Sequence, residues 1–274
     1  PAFLLDKTLG QMATVQRQPI DQWVPVASLA RRTAAMPGDY GAKAAKIVRD
    51  QVAPALAAQV AELTRQRATA TMDAGVWKLP DGEAYYAWAL KAGTTTTMTP
   101  EEVHALGLDQ LAALQGQMDG LLKGLGLTKG TVGERMTAMG KDPRHLFPDD
   151  DKGRAQILAY IEGRLTDIRT RLPRAFATLV PAKLIVKRVP VEIEAGMPGA
   201  YAGAGSIDGS VPGNYYINLR DTNSWPRYSL PTLTYHEGIP GHIWQGEYSY
   251  KLPLIRSLLP FNAYSEGWAL YAEQ

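Results

Sequence analysis

The chain has 274 residues, 45% of them hydrophobic and 20% charged, with 29 basic residues against 27 acidic ones and no cysteine. That composition excludes a disordered or collagen-like chain, and a net charge of +2 makes no field that would select nucleic acid or an anionic membrane surface. Without cysteine there is no disulfide and no thiolate, so any metal must sit on His, Asp or Glu.

No run approaches the roughly 20 apolar residues of a membrane span. The chain starts at Pro1 with neither an initiator Met nor a signal-like apolar segment, so its natural N-terminus is expected upstream. The first two-thirds reads as helix. A helical domain over 1–180 is therefore expected, followed over 181–274 by a small sheet and the helices of a metal site.

Residues 39–70 carry apolar side chains at helical spacing (Ala45, Ile47, Val48, Val52, Leu56, Val60, Leu63), and Pro54 should kink or split the segment. A connection rich in threonine, Thr94 to Thr97, comes next. Thr99 can then cap a helix in which Pro100 takes the first position and Glu102 closes a capping box. That helix should reach about Leu122 with Val103, Leu106, Leu108, Leu111, Leu114 and Met118 inward. Thr131 and Glu134 repeat the capping pattern. Asp149, Asp150 and Asp151 precede a helix through Ile157, Ile161, Leu165 and Ile168, where they complement its N-terminal dipole better than they would hold calcium. His104 and His145 are expected in structural or solvated roles.

Near Leu184 the texture changes to strand, with the alternation Val189, Val191, Ile193 continuing it and Pro190 pointing to a sheet edge or a bulge. Lys183, Lys187 and Arg188 are expected on a solvated strand face. A loop over 196–213 leads to a second strand over 214–219, which could pair with a substrate backbone as an added strand. A mainly α architecture carrying a small sheet follows.

Ser229 can cap a helix starting at Leu230 that carries His236 and Glu237. The octapeptide over 235–242, Tyr-His-Glu-Gly-Ile-Pro-Gly-His, places two of the chain's four histidines six positions apart, whereas the HExxH zinc signature sets them four apart. In an unbroken helix six residues turn through about 240°, which would point the imidazoles to opposite sides. Gly238, Pro240 and Gly241 are the residues expected where a helical ladder breaks, so the motif reads as an expanded HExxH with both imidazoles on one side. Zinc (Zn2+) commonly takes three protein ligands plus water, and Glu237 is placed to act as general base. Glu266 is the candidate third ligand, with Glu273, seven residues on and on nearly the same helical face, ranked second and Glu247 also in competition. Tyr264 is a candidate proton donor.

The runs over 208–218, 230–242 and 265–271, together with Thr94 to Thr97 and Thr99-Pro100-Glu101-Glu102-Val103-His104, resemble the bacterial domain of unknown function 885 (DUF885) family. The resemblance covers the chain from about Asp81 onward. It implies a helical, zincin-like body of the oligopeptidase or carboxypeptidase type, similar to gluzincin zinc metallopeptidases, with a small β-sheet next to the active-site helix. By it, His236, His242 and Glu266 hold zinc and Glu237 serves as base in the hydrolysis of short peptides. It further implies a periplasmic or otherwise exported bacterial protein, with the cytoplasm as the alternative. Members of the family are longer, so a missing C-terminal portion is expected to complete the cleft and supply oxyanion-stabilising groups. Two rival readings stand beside this one: a metal-dependent hydrolase of non-peptide amides or esters, and a non-catalytic binding protein whose site is vestigial.

Overall fold

The structure is a computed structural model and describes residues 1–191, 193–259 and 261–274. The chain divides into two compact units, Pro1–Gly82 and Glu83–Gln274. The expected boundary near 180 falls inside the second unit, where helices give way to the sheet.

The first unit is helical: α1 (Ala2–Gln16), α2 (Val24–Arg32), α3 (Tyr40–Ile47) and α4 (Ala53–Arg67). Pro54 splits the long apolar segment as expected, and the break takes the form of a π-helical turn, Val48–Val52, between α3 and α4. The Asp39 side chain caps α3 by accepting from the Ala42 amide at 3.3 Å. Trp23, Val26 and Val48 form a small core with Leu56 against it, while Ile47 and Val52 are exposed. Arg67 on α4 donates to both carboxylate oxygens of Asp6 on α1 at 2.6 and 3.0 Å.

The second unit begins with helices. After α5 (Gly82–Thr94) come α6 (Pro100–Gly124), α7 (Val132–Gly140) and α8 (Asp151–Arg171). Both expected capping boxes form, Thr99 with Glu102 and Thr131 with Glu134, and Asp150 caps α8 by accepting from the Gly153 amide at 2.8 Å. The buried Arg135 guanidinium ties α7 to α6, donating to the Asp119 carboxylate and to the Leu127 carbonyl. The inward stripe expected on α6 is not buried. Leu106, Leu108, Leu111 and Leu114 are all exposed and only Leu122 is buried, because no described element covers that stretch. On α8 the expected residues are indeed inward: Ile157, Ile161 and Leu165 are buried.

The sheet has three strands, β1 (Leu184–Arg188), β2 (Ala200–Gly203) and β3 (Gly213–Ile217), in the order β1-β3-β2. β3 runs parallel to β1 and antiparallel to β2. β1 is therefore an edge strand, but the chain leaves the sheet after Val189, so the alternation through Val191 and Ile193 is not strand. Arg188 is half-buried and paired, not on a freely solvated face. Its guanidinium donates to both oxygens of the buried Glu194 at 2.7 and 3.0 Å. β2 lies inside the segment expected to be loop. Finally, β3 is the central strand with a partner on each side, so it has no free edge for a substrate backbone.

Four helices close the chain: α9 (Leu230–Glu237), α10 (His242–Ser249), α11 (Ile255–Leu258) and α12 (Asn262–Ala272). Ser229 does not cap α9 with its side chain; its hydroxyl donates back to the Pro226 carbonyl at 2.8 Å. Ile157, Ile161 and Leu165 of α8, Tyr215 and Ile217 of β3, Leu230 of α9 and Ile243 and Trp244 of α10 share one core. Each such side chain contributes roughly 1.5–3 kcal/mol through burial. That core fixes α9 and α10 over the sheet, and both carry candidate site residues.

Candidate metal centre

The octapeptide folds as two helices rather than one. His236 and Glu237 are the last residues of α9, and His242 is the first of α10. The four residues between them form a turn containing a cis Ile239–Pro240 bond. Ile239 is fully buried in the core, and the indole N–H of Trp268 on α12 donates to the Pro240 carbonyl at 2.8 Å. At Gly241 a side chain is sterically forbidden: a Cβ would lie 1.9 Å from the His236 carbonyl oxygen and 2.2 Å from that of Tyr235. The turn brings the imidazoles together, with ring centroids 4.8 Å apart and planes at 89°.

α12 supplies the third member. The Glu266 Oε2 lies 3.5 Å from His236 Nε2 and 3.6 Å from His242 Nε2, and one ligand atom from each of the three residues falls within 4.8 Å of the others. Donor atoms about 2.0–2.2 Å from a tetrahedral zinc stand about 3.3 Å from one another, so the nitrogen–oxygen separations of 3.5 and 3.6 Å suit that ion, and the two nitrogens need only be drawn to a similar spacing. Sequence reasoning ranked Glu273 as a competing ligand, and the geometry gives it a different place. Its Oε1 lies 2.8 Å from His236 Nδ1, on the far side of the ring from the cluster. A carboxylate only accepts, which assigns the proton to Nδ1 and leaves the Nε2 lone pair facing Glu266 and His242. The heptad spacing of Glu266 and Glu273 carried this signal, since it lets one helix face reach both nitrogens of one ring. Glu247 is not part of the cluster.

Burial sets the electrostatics. The side chains of His236 and His242 are 18% and 20% exposed and that of Glu266 is 49% exposed, so the cluster opens on one side to solvent. Desolvation lowers the pKa of His242 and so favours the neutral, metal-binding imidazole. Glu237 is 8% exposed, and its carboxyl is pushed up by burial, against the pull of His236 and with the repulsion of Glu266. No described residue donates a hydrogen bond to it, which leaves both oxygens available. Behind it Tyr215 is fully buried, its hydroxyl raised above the usual range by desolvation and by the Glu237 charge.

The cluster lies at one side of a cleft of about 900 Å³, whose lining includes His242, Glu266, Tyr264, Gln245, Ala202 and Ala204. Tyr264 is exposed and sits on α12 ahead of Glu266. Ala202 and Ala204 were not anticipated from the sequence. The Asn218 amide donates to the Gly199 carbonyl at 2.7 Å, and continuing the antiparallel register turns the backbone groups of Gly199, Tyr201 and Gly203 toward β3. The alternate residues, Ala200 and Ala202, therefore present their N–H and C=O groups at a free sheet edge. His104 lies in the first turn of α6, and the ring of His145 packs edge-on against Tyr228 with centroids 5.4 Å apart. Neither joins the cluster.

The whole chain, residues 1–274, matches the family model described as a bacterial protein of unknown function, DUF885. The chain belongs to this family. Among solved structures, the DUF885 chain is similar to a candidate lipoprotein from Colwellia psychrerythraea, with a TM-score of 0.90 and 34% identity over 98% of this chain and 48% of that one. A candidate lipoprotein of unknown function from Shewanella oneidensis shares the fold at a TM-score of 0.59 and 20% identity, over 90% of this chain and 46% of that one. The chain thus spans about half the length of these structures. No curated protein matches it. Among the described residues no helix is long and apolar enough to cross a membrane.

Proposed function

We propose that this DUF885 chain carries the catalytic centre of a zinc-dependent metallopeptidase of the gluzincin type, with His236, His242 and Glu266 as ligands and Glu237 as general base. The observation that carries this reading is the convergence of two imidazole nitrogens and a carboxylate oxygen within 4.8 Å, beside a buried and unpartnered glutamate. Bound zinc would supply a Lewis acid for the scissile carbonyl and lower the pKa of an attacking water. Glu237 takes the proton from that water and returns it to the leaving amine, a role served by a carboxyl whose pKa burial has raised. Glu273 holds His236 in the tautomer that offers Nε2. Tyr264, on the cleft wall, is the candidate proton donor to the tetrahedral oxygen.

Peptides are favoured over other amides and esters by the free edge of β2. An extended backbone can add to Ala200 and Ala202 as a further strand, and their small side chains let it approach. In this reading the oxyanion-stabilising groups and the far wall of the cleft come from polypeptide equivalent to the unmatched half of the Colwellia psychrerythraea chain. An exported, periplasmic setting is supported by the description of both structural neighbours as candidate lipoproteins.

Metal analysis combined with turnover of a mixed peptide library tests the proposal. Zinc should bind one per chain, be lost in His236→Ala and be kept in Glu237→Gln, with peptide hydrolysis abolished in both. Undiminished hydrolysis by Glu237→Gln would refute the mechanism.

A further inference from the structure

Apart from His242 and Glu266 of the metal cluster and the phenols of Tyr250 and Tyr264, the described lining of the cleft holds one further ionisable residue, Arg256. Arg256 belongs to the short helix α11, on the lip that follows α10, and is exposed. Its guanidinium makes no ion pair and no side-chain hydrogen bond with any described residue. Arg144 provides a contrast: its side chain is 83% exposed and still pairs with Asp142 at 2.6 Å. The lip is tied to the end of the free sheet edge, because the Tyr250 hydroxyl donates to the Gly205 carbonyl at 2.9 Å. A backbone laid along Ala202 and Ala204 therefore runs in the same cleft as this cation, whose lining also includes Ser249 and Ser257.

We infer that Arg256 receives a carboxylate of the bound peptide, an inference that rests on the peptide-binding cleft proposed above. A guanidinium stays charged at any working pH and its planar fork matches a carboxylate with two parallel hydrogen bonds. The carboxylate has two sources in a peptide, the C-terminus and an acidic side chain. The C-terminal source would make the protein a carboxypeptidase-like exopeptidase.

Three N-terminally fluorescent alanine hexapeptides separate the cases: one with a free C-terminus, its C-terminal amide, and the amide with Glu at the fifth position. Binding is read by anisotropy in the metal-free protein and hydrolysis in the zinc-loaded protein, for wild type, Arg256→Met and Arg256→Lys. A charge-assisted contact predicts that amidation weakens wild-type binding by about tenfold or more. In Arg256→Met the amidation penalty should shrink to less than about threefold, with Arg256→Lys intermediate and the effect in KM rather than kcat. Recovery of affinity by the Glu-containing amide assigns the contact to a side chain, and lack of recovery assigns it to the C-terminus. Equal affinities of all three peptides for wild type, an amidation penalty unchanged in Arg256→Met, or no binding of any peptide overturns the inference. A carboxylate preference without hydrolysis refutes the catalytic reading and leaves the carboxylate seat standing. Hydrolysis indifferent to the carboxylate does the reverse.

Discussion

Replacing Gly241 by alanine tests whether the turn between α9 and α10 sets the metal geometry. The added Cβ would lie 1.9 Å from the His236 carbonyl oxygen, 2.2 Å from the Tyr235 carbonyl oxygen and 2.5 Å from the His236 carbonyl carbon, all of them backbone. A carbon and an oxygen in contact stand about 3.2 Å apart or more, so the last turn of α9 and the start of α10 must separate by roughly 1 Å. That displacement acts on His236 itself and on the residue before His242. Overpacking of this kind costs about 1–3 kcal/mol of stability. A shift of about 1 Å between ligands costs on the order of 100-fold in any function that needs them aligned. Gly267→Ala is the matched control, since its Cβ meets nothing within 4 Å although it sits next to Glu266. In the middle of α12 that alanine should stabilise the protein by up to about 1 kcal/mol. Zinc affinity by competition with a chelator, and thermal unfolding of the metal-free proteins, read both effects. Gly241→Ala with wild-type zinc affinity and an unchanged Tm would show that the turn does not position the imidazoles.

Two further outcomes follow from the hydrogen bonding and burial around the cluster. Glu273→Ala should weaken zinc binding by about 10–100-fold while leaving one zinc per chain at saturation, whereas Glu266→Ala should abolish it; equal losses in the two variants, measured by calorimetric titration, would make Glu273 a ligand instead. Glu237→Gln should raise the Tm of the metal-free protein at pH 7. Burial raises the folded-state pKa of Glu237, so the stability linked to its neutral form is present below the unfolded value and lost as pH rises through the folded one. The advantage of glutamine should therefore disappear on acidification below the ordinary carboxylate range, and a Tm difference independent of pH would count against this origin.

Much of the site was legible because its chemistry is written in short runs. Pro240 between Gly238 and Gly241 announces a broken helix, and the break is what brings His236 and His242 to one side. Capping boxes at Thr99 and Thr131 were equally plain, since each is complete within four residues. What failed was information held by distant parts of the chain. β2 has the sequence Ala-Tyr-Ala-Gly, with no β-branched residue, and exists because β3 offers it a hydrogen-bonding edge. The alternation after Val189 is a good strand pattern, but among the described residues no strand lies beside it to extend the pairing. Leu106, Leu111 and Leu114 follow helical periodicity faithfully, yet periodicity says only which face is apolar and nothing about what covers it. Arg188 appeared to be a surface cation because Glu194, which pairs with it, lies across a turn.

α12 buries only Ala269 completely, and Leu270 and Tyr271 stand open to solvent. Its polar ties to α9 and the turn that follows are the contacts of Glu266 and Glu273 with one imidazole and the indole bond to Pro240. Glu266, which would hold the ion, is thus also one of the fastenings of the helix that carries it. A chelator would withdraw only the link through Glu266, leaving the Glu273 and indole bonds in place, so loss of the ion would loosen α12 at Glu266 while the α8, β3 and α9 core stays packed.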